Sequence, residues 1–166
     1  MNLKGTAHVY GNDIDTDRII AGKYTKTLNM QELADHVFED LDPDFRSKLQ
    51  SGDMLVAGTN FGCGSSREQA PLALKKAGVS VVIARSFARI FYRNAINIGL
   101  PIVEIKDHTI NDKDILNVNL STGEVNNLTK SVIYKGADMP SVMIDIIRDG
   151  GLVEYLKKRG TYQLTK

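Results

Sequence analysis

The most constraining feature of the sequence is a repeated alternation in its middle third. DMLVA at 53–57, VSVVIA at 79–84 and PIVEI at 101–105 are short apolar runs, the pattern of strands buried on both faces. Between them lie two segments of helical character, 66–77 and 86–98, closed by Gly78 and Gly99. Glycine at that position accepts the left-handed backbone that ends a helix. In the second segment Phe87, Ile90, Phe91 and Ile98 recur at helical spacing. Strand–helix–strand–helix–strand in this order calls for a parallel layer with crossover helices.

The flanks read differently. Residues 3–10 form a strand that turns at Gly11-Asn12, and 13–20 read as a strand or turn rich in carboxylates. KYTKT at 23–27 is a loop. Asn29 caps a helix running through Glu32, Leu33, Val37 and Phe38, and Pro43 opens a short helical piece that stops at Ser51-Gly52. Residues 115–120 alternate, Ser121-Thr-Gly123 turns, and 132–134 are extended. Pro140 opens an amphipathic stretch with Val142, Met143, Ile146 and Ile147 apolar, broken at Gly150-Gly151 before 152–158. The alternating strands predict added antiparallel pairing. The expected fold is α/β, a three-layered core with a mixed, partly parallel sheet, forming one domain over 1–160 with a frayed tail at 161–166.

A net charge of +1 offers no strong field to nucleic acid or acidic lipid. The lone cysteine, Cys63, cannot close an internal disulfide and cannot alone hold an iron–sulfur cluster. His8, His36 and His108 match no ligand spacing, so no metal site is expected on this chain. Asp13, Asp15 and Asp17 resemble the opening of a calcium loop. Arg18 and Tyr24, however, stand where that loop needs glycine and glutamate. The opening MNLKGTAHVYGND lacks the apolar core of a signal peptide, and no apolar run reaches membrane-spanning length, so a cytoplasmic protein is expected.

NFGCGSSREQA at 60–70 concentrates chemistry. Gly62 and Gly64 permit backbone conformations that other residues adopt only under strain. Unpartnered N–H groups and aligned peptide dipoles at a helix start favour an anion. Ser65 and Ser66 add hydroxyls, and Arg67 adds a planar fork for carboxylate or phosphate. Simple helix capping accounts for one serine and Glu68 but not for the rest. A nucleotide loop fits poorly, because Arg67 occupies the third glycine position of Gly-x-Gly-x-x-Gly and no Gly-Lys-Ser/Thr ending is present.

GCGSSRE at 62–68, followed by SFARI at 86–90, resembles the small subunits of the aconitase and isopropylmalate isomerase family of hydro-lyases. The resemblance extends over Asp15-Thr-Asp17 with Ile19-Ile20, YRNA at 92–95 with Gly99, and GGLVEY at 150–155. It implies an aconitase-type swivelling β/β/α domain. It also implies a cluster-bearing large subunit, in a heterodimer or heterotetramer, that holds a 4Fe-4S cluster this chain does not bind. The reaction it implies is dehydration and rehydration of a small hydroxy diacid, as in the interconversion of 2- and 3-isopropylmalate in leucine biosynthesis. Carried over by position, Ser65 is the catalytic base, Ser66 and Arg67 hold substrate carboxylate, and Asp17 belongs to the catalytic surroundings. Cys63 carries no role.

The loop at 23–27 is similar to one that discriminates substrates. Relatives taking an extra carboxylate often have arginine where Lys26 stands, and those taking an isopropyl group an apolar residue. Lys26 is therefore a substrate-binding candidate that leaves the substrate open. Small subunits of homoaconitase or of a dimethylmalate-type dehydratase remain alternatives, as does a stand-alone anion-binding module. Arg85, Arg89 and Arg93 form an i+4 series that either meets the large subunit or substrate, or forms a solvated face.

Overall fold

Residues 1–161 are described in a computed structural model of the chain. Of the expected tail only Thr161 falls within them; 162–166 lie outside the described residues. The strands are β1 (Asn2–Val9), β2 (Met54–Ala57), β3 (Val81–Ala84), β4 (Ile102–Glu104), β5 (Ile115–Asn119), β6 (Glu124–Asn127) and β7 (Val132–Lys135). They form a sheet in the order β4-β3-β2-β1-β5-β6-β7. The β4–β1 half is parallel throughout, and every pairing from β1 to β7 is antiparallel.

The three apolar runs of the middle third become β2, β3 and β4, and alternate residues serve two cores. Leu55, Ala57, Val82 and Ala84 face the helices. Met54, Val56, Val81 and Ile83 pack with Leu116, Val118 and Val125 of the antiparallel half. The curled sheet and its helices therefore make the β/β/α layering that the resemblance implies.

The helices are α1 (Thr16–Ile19), α2 (Met30–Asp35), α3 (Phe45–Lys48), α4 (Gln69–Ala77), α5 (Arg89–Ile98), α6 (Ser141–Arg148) and α7 (Leu152–Arg159), with a 3-10 turn over Gly22–Tyr24. Asn29 caps α2 by accepting from the N–H groups of Gln31 and Glu32. Gly78 and Gly99 close α4 and α5 at φ of 108° and 74°.

Four local expectations change. Residues 13–20 contain a helical turn, α1, because the Asp15 carboxylate accepts from the Arg18 N–H. α2 stops at Asp35 and does not reach Phe38, which takes φ 61° and donates its N–H to the Ile19 carbonyl, 2.8 Å away. That bend buries its ring against Tyr10 and Phe45. α4 begins at Gln69 rather than Ser66, and no side chain caps it. The Ser65 carbonyl, which would start an earlier turn, accepts instead from the Thr16 hydroxyl at 2.9 Å. α5 begins at Arg89 rather than Ser86: the Ser86 carbonyl accepts from Phe61 N–H, and Ala88 N–H donates to the Phe61 carbonyl.

Candidate active site

The site loop, residues 58–67, follows β2 at the carboxyl edge of the parallel strands, where open α/β sheets place their ligands. It is bonded on both sides. On one, Asp13 N–H donates to Thr59 O (2.9 Å), Gly62 N–H to Ile14 O (2.8 Å) and Thr16 N–H to Cys63 O (2.9 Å). The Asn60 amide reaches the Asp13 carboxylate at 2.9 Å. On the other side, Asn60 N–H donates to Ser86 Oγ and Phe61 N–H to Ser86 O. The three acids of 13–17 thus have separate tasks: Asp13 holds Asn60, Asp15 caps α1, and Asp17 pairs with Arg67.

Gly62 is required by space. At φ 78°, a Cβ there would lie 2.2 Å from Phe91 Cγ. Gly64, at φ 92°, turns the chain outward so that Ser65 and Ser66 are exposed. Among the described residues the backbone N–H groups of Gly64, Ser65, Ser66, Arg67 and Glu68 meet no acceptor. A run of unpartnered N–H groups beside a left-handed glycine is the kind of backbone that can receive an oxyanion. The Arg67 guanidinium pairs with Asp17, approaches the Ile20 carbonyl at 3.4 Å and lies over Gly22, where a Cβ would meet it at 3.5 Å.

Ser65, Arg67 and Asp17 are thus gathered on one open face, with Ser66 beside them. Lys26 is exposed and forms no ion pair among the described residues. Its turn is moored to the start of α4, because the Gln69 amide donates to the Thr25 carbonyl at 3.2 Å. Cys63 is half-buried; burial first, then Asp15 and Asp13, pushes its thiol above the ordinary value, so it stays protonated.

The arginine series divides. Arg85 precedes α5 and donates to the carbonyls of Lys106 (2.8 Å) and His108 (2.9 Å), a tie between loops. Arg89 and Arg93 are exposed on α5 and, with Phe87, Tyr92 and Glu104, line a cleft of about 280 Å³. The histidines are scattered: His8 bonds Asp53, His36 stacks on Tyr24, and His108 Nδ1 accepts from Ile110 N–H. Among the described residues no group of three or more His, Cys, Asp or Glu side chains comes together to hold a metal, and no helix is long and apolar enough to cross a membrane. Sequence reasoning missed Thr16, which is 2% exposed and directs its hydroxyl at Ser65. A threonine between two aspartates carries no sign of burial.

Fold and site define an α/β domain that carries a hydroxyl- and guanidinium-bearing loop on an open face. The family model of the aconitase C-terminal domain matches residues 12–108. The isopropylmalate/citramalate isomerase small subunit of Methanocaldococcus jannaschii is 52% identical over 159 residues, covering 95% of each chain. A 3-isopropylmalate dehydratase small subunit from Halothermothrix orenii is 55% identical, covering 95% of this chain and 96% of that one. The crystal structure of a 3-isopropylmalate dehydratase from M. jannaschii superposes with a TM-score of 0.91 at 48% identity, covering 96% of each chain. The chain belongs to the aconitase C-terminal domain family, among the small subunits of two-subunit hydro-lyases.

Proposed function

We propose that this chain supplies the base and the carboxylate grip of an enzyme that interconverts 2- and 3-isopropylmalate by removing water and returning it with the hydroxyl on the neighbouring carbon. The observation that carries the reading is an exposed Ser65, two residues before Arg67, in a loop with five free N–H donors. Relatives named for isopropylmalate favour this substrate over homoaconitase or dimethylmalate types. The name of the M. jannaschii relative adds citramalate as a second substrate to test.

The proton removed lies beside a carboxylate and is very weakly acidic, so the charge that develops needs fixed donors in a site closed to water. Arg67, Ser66 and the N–H groups of 64–68 hold the substrate carboxylate. Asp17 aims Arg67 by the pair it already makes. Ser65 takes the carbon-bound proton and, in the return direction, gives it back. Lys26 stands at the edge, as a point charge for the variable arm of the diacid. The described residues do not fit an iron–sulfur cluster. The 4Fe-4S cluster, with the Lewis acidity it brings, is assigned to the large subunit, whose docking also excludes water. A cytoplasmic place in leucine biosynthesis fits this activity.

The test is reconstitution with an anaerobically prepared large subunit. The chain alone is expected to be inactive and the pair active on isopropylmalate. A Ser65→Ala pair should lose at least about a hundredfold in kcat, by the scale of a lost general base. Wild-type turnover of that variant would overturn the role of Ser65.

A further inference from the structure

We propose that Thr16 is the positioning residue of the reaction: it orients Ser65 and supplies the hydrogen bond that holds charge on its oxygen. The proposal rests on the reading of Ser65 as the base and adds to it the group that makes a serine usable as one.

Thr16 Oγ1 lies 2.9 Å from the Ser65 carbonyl oxygen and 3.3 Å from Ser65 Oγ. The side chain is 2% exposed, whereas Ser65 is exposed, so the hydroxyl approaches the base from the protein side and leaves the outer side open to substrate. Its backbone is bound to the same loop, through Thr16 N–H to the Cys63 carbonyl at 2.9 Å. The β-branched side chain has few χ1 states, which keeps the oxygen aimed.

The proton count gives the device its function. Thr16 Oγ1 carries one proton, and the Ser65 carbonyl can only accept. While Ser65 is protonated, Thr16 donates to the carbonyl and accepts from the Ser65 hydroxyl. Once Ser65 is deprotonated it can only accept, and rotation about the Thr16 Cβ–Oγ1 bond turns the threonine proton toward it. A hydrogen bond to an ionised oxygen is roughly twice as strong as a neutral one. That turn gives up the 2.9 Å bond to the Ser65 carbonyl and the neutral Ser65–Thr16 contact; because the latter is long at 3.3 Å, the one charged bond outweighs the two it replaces, and no heavy atom moves. A valine has the same shape and none of this.

The experiment compares Thr16→Val and Thr16→Ser in the reconstituted two-subunit enzyme, with kcat and KM measured across pH. Thr16→Val is expected to lower kcat roughly 10- to 100-fold, the scale of a hydrogen bond to a charged group. KM should stay within about threefold, and the acid limb of the kcat profile should move to higher pH by about one pH unit. Thr16→Ser should restore kcat to within about threefold and return the limb, because it keeps the hydroxyl. Wild-type kcat and profile in Thr16→Val overturn the proposal. So does an equal loss in both variants with the limb unmoved, which marks a packing role. If Thr16→Val does not fold, Thr16→Ser decides: a tenfold fall with an unmoved limb overturns the proposal, and retained kcat and limb support it. Ser65→Ala separates the two readings. An active Ser65→Ala removes the base itself, whereas an inactive Ser65→Ala beside an unaffected Thr16→Val removes only the role of Thr16.

Discussion

Asp17 meets Arg67 in an ion pair on the open face that also carries Ser65. The Asp17 side chain is 60% exposed and that of Arg67 24%, so the pair adds less than about 1 kcal/mol to stability. Its weight lies in where it holds the guanidinium. Asp17→Asn is therefore expected to leave the melting temperature within a few degrees and to raise KM several-fold. Thermal melts beside steady-state kinetics check this, and a large loss of stability with unchanged KM would contradict it.

Gly62→Ala brings two penalties together. The backbone sits at φ 78°, and the added carbon meets the buried Phe91 ring, which packs at 5.0 Å from Phe61. Left-handed strain and overpacking together cost about 3 kcal/mol. Urea unfolding should show that loss, with activity falling as the loop shifts.

Acid stability has a defined sign. Burial alone would raise the Asp114 carboxyl. Hydrogen bonds from Asn111 N–H and the Asn127 amide, with the charge of Lys130, outweigh it and hold the carboxyl below its ordinary value of 3.8. Asp53 behaves likewise, with burial opposed by His8 and by the N–H groups of Gln50 and Thr6. On acidification the unfolded chain takes up these protons first. Their contribution is therefore complete above about pH 4 and is lost as pH falls through the lower folded values. Asp114→Asn should be less stable at neutral pH and show a flatter decline below pH 4 in urea titrations.

Lys26→Ala should leave the fold untouched, because the side chain has no ion pair among the described residues. The expected effect is a changed ratio of kcat/KM between isopropylmalate and citramalate. An unaltered ratio would return Lys26 to the solvated surface.

The parallel half of the fold was legible because its signals are local. Continuous apolar runs made β2 and β3, and Gly78 and Gly99 stopped their helices by backbone conformation alone. β6 was not legible. Its Asn127 looks like a turn residue, yet it is fully buried, donating to Asp114 at 2.6 Å and accepting from Lys130 N–H. Phe38 and Ser86 were misread as helical because both are committed to partners remote in sequence, Ile19 and Phe61. In the site, the composition of 60–67 pointed to anion chemistry. Thr16 became visible only in three dimensions, since its burial comes from packing between segments far apart in the chain.

The lacing of 58–67 between residues 11–16 and 85–88 has a kinetic consequence. The small subunit meets its partner with the loop already set, like one half of a closed mould. Little chain entropy is left to lose in this segment at an encounter, which is the condition for fast, near rigid-body docking. Cutting the Asn60–Asp13 link would then slow association, an effect that a static view of the interface would miss.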